Sequence, residues 1–383
     1  MVSLRHAAIE RQIFFCTLVF ITNVQGLQQT AQLSTLIALN PSTATQPLDL
    51  PPTQSPLNLT LVYPAAGVKS SLPWIMLMTG ANCYSQDYSF LEQQLAGRGY
   101  LVAIIDELHP VTPDTQAFIS PVREPQCPNN SWGAVSATAL NDVHTFLASA
   151  LHQNPNPATR LPPIPVAAQS AIKSVDLDSV VLLGHSLGGQ VAVNILAGIC
   201  DEPEEFLCGD YAAVLDSKGK SAIKGVISYE GFALANNTAF TEVAIPDDTF
   251  VTYITDPDPS IANLTRAAYE MTEGECVQYI ELGSTSSHYS INDWNLATAP
   301  HQRAPCALDN GASTTVSTQA EHDALLLFIS DLADNVIRAQ MLNDTAAAMF
   351  LTGQVPDSLF VQSAELTPEC YNSTEAQEVM TLT

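Results

Sequence analysis

Short apolar runs alternate with segments of helical period along most of the chain. Residues 57–63 alternate as an early strand does, and Trp74-Ile75-Met76-Leu77-Met78 is apolar throughout, closed by Thr79-Gly80. A run apolar at every position has both faces buried, the pattern of a parallel strand covered on two sides. Residues 85–98 place Phe90, Leu91 and Leu95 on one face and meet Gly97 and Gly99, which predicts an amphipathic helix with its stop. Residues 100–105 form the next buried strand, closed by Asp106. The same reading predicts a helix over 134–151, a strand over 179–183, a helix over 187–198, strands over 225–229, 249–254 and 277–282, and a long helix over 321–341. Strands separated by helices require right-handed crossovers. The expected fold is therefore α/β, a doubly wound, mostly parallel sheet forming a single domain over 57–345.

The remaining segments lack this pattern. Residues 27–56, rich in Gln, Thr, Ser and Pro, read as a linker or lead-in, and 346–383 as an acidic C-terminal tail. Proline-rich excursions at 109–130 and 154–165 interrupt the core pattern.

Composition narrows the class. Hydrophobic residues make up 46% of the chain, enough to bury a large core, so wholesale disorder is excluded. With 13 Lys+Arg against 39 Asp+Glu the formal charge is −26, which repels a polyanion and argues against nucleic acid as a partner.

Arg5, His6 and Arg11 precede the apolar run 13–22, which is shorter than the roughly 20 residues of a membrane span. Val24-Gln25-Gly26 then offers small residues at the positions a signal peptidase reads, so 1–26 are expected to be a signal peptide, with no transmembrane span later in the chain. Sequons at Asn58, Asn129, Asn236, Asn263, Asn343 and Asn372 fit a glycosylated protein of the secretory pathway. After removal of Cys16, the cysteines are Cys83, Cys127, Cys200, Cys208, Cys276, Cys306 and Cys370. One must stay free or pair between chains while the others form disulfides, Cys200 with Cys208 being the expected local bridge.

Candidate chemistry centres on Gly184-His185-Ser186-Leu187-Gly188, which follows one predicted buried strand and opens a predicted helix. In a nucleophile elbow the serine sits on a strained strand-to-helix turn, the flanking glycines leave room for that turn, and the helix N-terminus favours developing negative charge. A hydroxyl needs a base to take its proton. His288 is the candidate, since the loop 283–287 after the strand over 277–282 returns it to the carboxyl edge of the sheet; His301 and His322 are less suitably placed. An acid must orient that histidine. Asp256 and Asp258 both follow the strand over 249–254, and Asp258 is preferred because a few residues beyond the last apolar position precede the acid; Glu230, after the preceding strand, ranks third. Two backbone N–H groups could hold an oxyanion, those of Leu187 and Ala81, with Asn82 or Tyr84 lining the pocket nearby.

Thr79-Gly80-Ala81, Gly99-Tyr100-Leu101-Val102-Ala103-Ile104-Ile105-Asp106, Val175-Asp176-Leu177-Asp178 with the elbow, and Ser287-His288-Tyr289-Ser290-Ile291 resemble the α/β-hydrolase superfamily. The resemblance is to the branch holding chlorophyllases, dienelactone-hydrolase-like proteins, platelet-activating-factor acetylhydrolases and cutinase-like polyesterases, and it covers about 57–345. It implies an eight-stranded core, a Ser-Asp-His triad, a second oxyanion donor at Ala81, and neither cofactor nor metal. The spacing to Arg266-Ala267-Ala268-Tyr269 agrees with Asp258 as the acid. Thr79 stands where the branch usually has His, and Leu187 where plant chlorophyllases carry Arg.

The resemblance thus implies a serine carboxylic-ester hydrolase with an amphiphilic or lipid-like ester substrate, chlorophyllase-like in the first instance. The alternatives are a secreted carboxylesterase, lipase, cutinase or platelet-activating-factor acetylhydrolase, and a hydrolase fold used only for binding. The expected destination is extracellular, or a plastid reached through the endoplasmic reticulum.

Overall fold

The computed structural model describes residues 28–35, 57–64, 71–81, 83–105, 109–111, 132–135, 137–152, 166–198, 221–231, 234–235, 239–240, 242–246, 249–257, 259–283, 286, 288, 290–291, 319–351 and 361–366. The expected signal peptide, the Cys200–Cys208 bridge, Asn82 and Asp258 lie outside the described residues.

The main sheet has strands β1 (Gln28–Thr35), β2 (Leu57–Pro64), β3 (Leu72–Met78), β4 (Leu101–Ile105), β5 (Val175–His185), β6 (Ile223–Tyr229), β7 (Phe250–Thr255), β8 (Cys276–Leu282) and β9 (Val361–Leu366). These nine strands lie in the order β1-β2-β4-β3-β5-β6-β7-β8-β9. From β4 across to β8 every pairing is parallel. The pairings β1 with β2, β2 with β4 and β8 with β9 are antiparallel. The architecture is α/β with a mostly parallel sheet.

The helices are α1 (Ser89–Gly97), α2 (Thr138–His152), α3 (Val166–Lys173), α4 (Leu187–Ala197), α5 (Pro259–Glu270), α6 (Gln319–Met341) and α7 (Thr345–Met349). Period-two alternation along the strands divides the core in two. Trp74, Met76, Val180, Leu182, Val251 and Tyr253 join Leu140, Val143 and Phe146 of α2 and Val191 of α4 on one face. Ile75, Leu77, Val181, Leu183, Phe250 and Ile254 join Leu91 and Leu95 of α1 and Leu325, Ile329, Leu332 and Val336 of α6 on the other. The inner strands are buried on both sides, which is why β3 and β4 are apolar apart from Pro73 and the others largely so, with Ser228, Thr252 and Gln278 as buried polar exceptions.

Two segments without a hydrophobic pattern each supply an edge strand; added to the seven strands read from the apolar pattern they make nine among the described residues, where the resemblance implies eight. The lead-in contains β1, whose polar sequence QQTAQLST pairs along its whole length with β2. The tail contains β9, paired with β8 and fastened from outside: Arg266 donates to both carboxylate oxygens of Glu365, at 2.5 and 2.8 Å, and lies over the Tyr279 ring. An antiparallel edge strand needs backbone partners more than an apolar face, so neither segment stood out. Helices α3 and α5 were not legible either. The first turn of the helix expected from 85 is a 3-10 turn, Ser85–Tyr88, and the helix expected over 134–151 begins at Thr138 after a short strand, Trp132–Ala134, that pairs with His109–Val111.

If α6 is the cover of the second face, Leu332→Ala should lower the unfolding free energy by about 2–5 kcal/mol in a urea titration. Leu342→Ala, 54% exposed just beyond the helix, should cost no more than roughly 0.5 kcal/mol. Equal effects would contradict this packing.

Candidate active site

Strand register brings the candidate residues to one edge. Met78 is level with Gly184, His185 with Tyr229, Tyr229 with Ile254, and Thr255 with Glu281, so β3, β5, β6, β7 and β8 end together. Ser186 is the first residue past β5 and directly precedes α4, with φ 53° and ψ −121°. A non-glycine residue in this region costs about 1–3 kcal/mol and persists only when its surroundings hold it there. Its N–H donates to the Tyr229 carbonyl at 2.8 Å, and its own carbonyl accepts from Gln190 at 3.0 Å. A Cβ on Gly188 would lie 2.2 Å from the Met78 carbonyl oxygen, so only glycine lets α4 start this close to the end of β3.

His288 stands in the turn after β8, its side chain 19% exposed. Nδ1 of His288 hydrogen-bonds Oε2 of Glu230, whose own side chain is fully buried. A carboxylate oxygen accepts, so Nδ1 carries a hydrogen, and in the neutral ring Nε2 then has the lone pair. Glu230 is held three ways. Its N–H donates to the Ile254 carbonyl at 2.7 Å, its Oε1 accepts from the Asp256 N–H at 2.9 Å, and its backbone has φ 56°. Like Ser186, it is a non-glycine residue in a left-handed conformation at the end of a parallel strand.

Beneath these residues lies a buried aromatic cluster. The His185 ring is 4.8 Å from that of His288 and 5.9 Å from those of Tyr88 and Tyr229, centroid to centroid. Burial holds the His185 pKa well below the usual histidine value, and the neighbouring His288 lowers it further. Burial, reinforced by the Glu230 and Asp256 carboxylates, pushes the Tyr229 phenol well up, and its hydroxyl bonds to Ser290 in the His288 turn.

Of the residues expected from sequence, Ser186, His288, Leu187 and Ala81 all lie at this edge. The N–H groups of Ala81 and Leu187 have no acceptor among the described residues. Tyr84 is 44% exposed beyond Ala81. The carboxylate on His288 is Glu230, ranked third from sequence, whereas Asp256 contributes its backbone N–H to Glu230. The sequence signal for Glu230 was its place directly after an apolar run; the pairing of that strand with β5 is given by the fold and not by the sequence. Among the described residues no cluster of His, Cys, Asp or Glu could hold a metal ion, and no helix is long and apolar enough to cross a membrane. Cys83 is a free, buried thiol pushed up to about 12 by burial. Comparison of the chain with protein-family models and with curated protein sequences finds no match.

The buried state of His185 has a consequence for stability. Below about pH 6.5 the unfolded chain protonates this histidine and the folded chain does not, so stability present above that pH is lost as pH falls. The contribution is about 1.4 kcal/mol per pH unit for one proton. Urea titrations between pH 6.5 and 5 should therefore show a shallower loss of stability in His185→Gln than in the parent. Parallel slopes would mean that His185 titrates alike in both states.

Proposed function

We propose that the protein is a serine carboxylic-ester hydrolase in which Ser186, His288 and Glu230 act as one unit. The observation that carries this reading is the buried Glu230 carboxylate on Nδ1 of a histidine whose ring lies against the residue preceding a strained serine. Ser186 Oγ attacks the ester carbonyl carbon while His288 Nε2 takes its proton. Glu230 holds the ring in the required tautomer and stabilises the imidazolium that forms. The N–H groups of Ala81 and Leu187 receive the oxyanion of the tetrahedral intermediate. His288 then protonates the leaving alcohol oxygen as the C–O bond breaks, giving the acyl-enzyme. Water, deprotonated by the same nitrogen, attacks the acyl carbon; the proton returns to Ser186 and the carboxylic acid leaves.

The finer reading is chlorophyllase-like, with the phytyl ester of chlorophyll as substrate, and it rests on the sequence resemblance. A secretory route rests on the N-terminal apolar run and the sequons, of which Asn263 and Asn343 are exposed.

Hydrolysis of a short p-nitrophenyl ester beside chlorophyll a tests both levels. Ser186→Ala should lower kcat by on the order of 10⁴-fold or more. Glu230→Gln, which keeps the shape and removes the charge, should lower it by roughly 10²–10⁴-fold. Asp258→Asn should retain more activity than Glu230→Gln; the reverse ranking returns the acid to the loop after β7. Cleavage of the short ester without release of chlorophyllide keeps the chemistry and removes the chlorophyllase reading. A folded parent that cleaves neither would favour a binding role.

A further inference from the structure

One run of hydrogen bonds, buried at Tyr88 and part-buried at His288, joins the turns on either side of Ser186. The Gly80 N–H donates to Tyr88 Oη at 2.9 Å, Tyr88 Oη lies 2.7 Å from His185 Nδ1, and His185 Nε2 lies 2.8 Å from the main-chain carbonyl oxygen of His288. Chemistry fixes the direction of every bond. A carbonyl oxygen only accepts, so Nε2 carries a hydrogen. A neutral imidazole then has only a lone pair at Nδ1, so the Tyr88 hydroxyl donates to it and accepts from Gly80.

The run constrains both halves of the site. At one end Gly80 is seated directly on the His185 ring: a Cβ there would lie 2.7 Å from Nδ1. The Gly80 N–H is consumed by Tyr88, and the Gly80 carbonyl accepts from the Cys83 N–H at 3.1 Å. Because no peptide bond here is cis, the Ala81 N–H, on the same peptide as that carbonyl, is directed the opposite way, out of the turn. At the other end His185 holds the backbone of His288 itself. A positive charge on His185 would face the His288 ring at 4.8 Å and oppose its conversion to imidazolium.

We propose that Tyr88 and His185 are positioning residues for the ester hydrolysis put forward above, setting the Ala81 N–H and the His288 ring relative to Ser186. The proposal rests on that reading of the site. Neither residue touches substrate; each acts through the turn it holds. Loss of the Tyr88 hydroxyl leaves the Gly80 N–H and His185 Nδ1 without partners, and the oxyanion turn is released from the elbow.

The test combines turnover of a short p-nitrophenyl ester with ¹⁵N spectra of the histidine rings, on the parent, Tyr88→Phe and His185→Gln. In the parent, His185 should show a protonated Nε2 and an unprotonated, hydrogen-bonded Nδ1. In Tyr88→Phe the Nδ1 resonance should move to that of a nitrogen without a donor, and the His288 resonances should shift with it. Its kcat should fall by roughly 10–100-fold with KM within about threefold, because the affected donor acts on charge that develops only in the transition state. His185→Gln should show the same split if Tyr88→Phe fails to fold. A kcat within twofold of the parent in a folded variant, with unchanged His288 resonances, would overturn the positioning role. So would a parent spectrum with the opposite His185 tautomer. A parent with the stated tautomer but no turnover would instead sink the esterase reading, and the positioning role with it.

Discussion

The carboxylate of Glu230 is out of water, and what surrounds it has to replace the water it lost. An isolated buried charge costs several kcal/mol, so such a group survives only among donors placed to meet it. Here those donors are the Asp256 N–H on one oxygen and His288 Nδ1 on the other. Both come from neighbouring strands: Asp256 directly follows β7, and His288 stands in the turn after β8. Satisfying Glu230 therefore locks the ends of three parallel strands together. It also places the hydrogen of a neutral His288 ring on Nδ1. The left-handed backbone at Glu230 is tolerated because its N–H, carboxylate and flanking strand are all held. Stability of the edge and tautomer of the histidine are thus two consequences of one interaction.

A second constraint meets it from the other side of the elbow. Ser186 is held in its strained conformation by Tyr229 and by the approach of Gly188 to Met78, and the residue before it points inward as a neutral imidazole. The two nitrogens of His185 reach Tyr88 and the main chain of His288.

The inner strands were legible because burial on both faces makes most of their positions apolar; β3, β4, β6, β7 and β8 lie within a few residues of where the apolar runs place them. The edges were not. QQTAQLST and VQSAEL owe their strand geometry to β2 and β8, and nothing local distinguishes them from a loop. The site divides in the same way. Ser186 and His288, the residues proposed as nucleophile and base, stood out because a strand–glycine–serine–helix pattern and a loop-borne histidine have local signatures. A carboxylate partner for the histidine has none: any carboxylate near a strand end is a candidate, and choosing among Glu230, Asp256 and Asp258 needs strand register, which a single sequence does not contain. Distance from the last apolar residue favours Asp258, which lies outside the described residues; Glu230 follows Tyr229, which pairs with His185 next to the serine. Tyr88 and His185 were invisible for a related reason. One looks like a core residue of a helix and the other like the variable position of the elbow, and only the fold brings them within 2.7 Å.

The central claim is that Ser186 is a nucleophile driven by His288 and Glu230. The most direct measurement is the rate at which an alkyl fluorophosphonate becomes attached to the folded protein, followed by intact mass and by mapping the modified peptide. The account predicts one adduct, on Ser186, formed in the parent and slowed by roughly 10²-fold or more in Glu230→Gln. An adduct elsewhere, none at all, or a Glu230→Gln rate equal to that of the parent would contradict it.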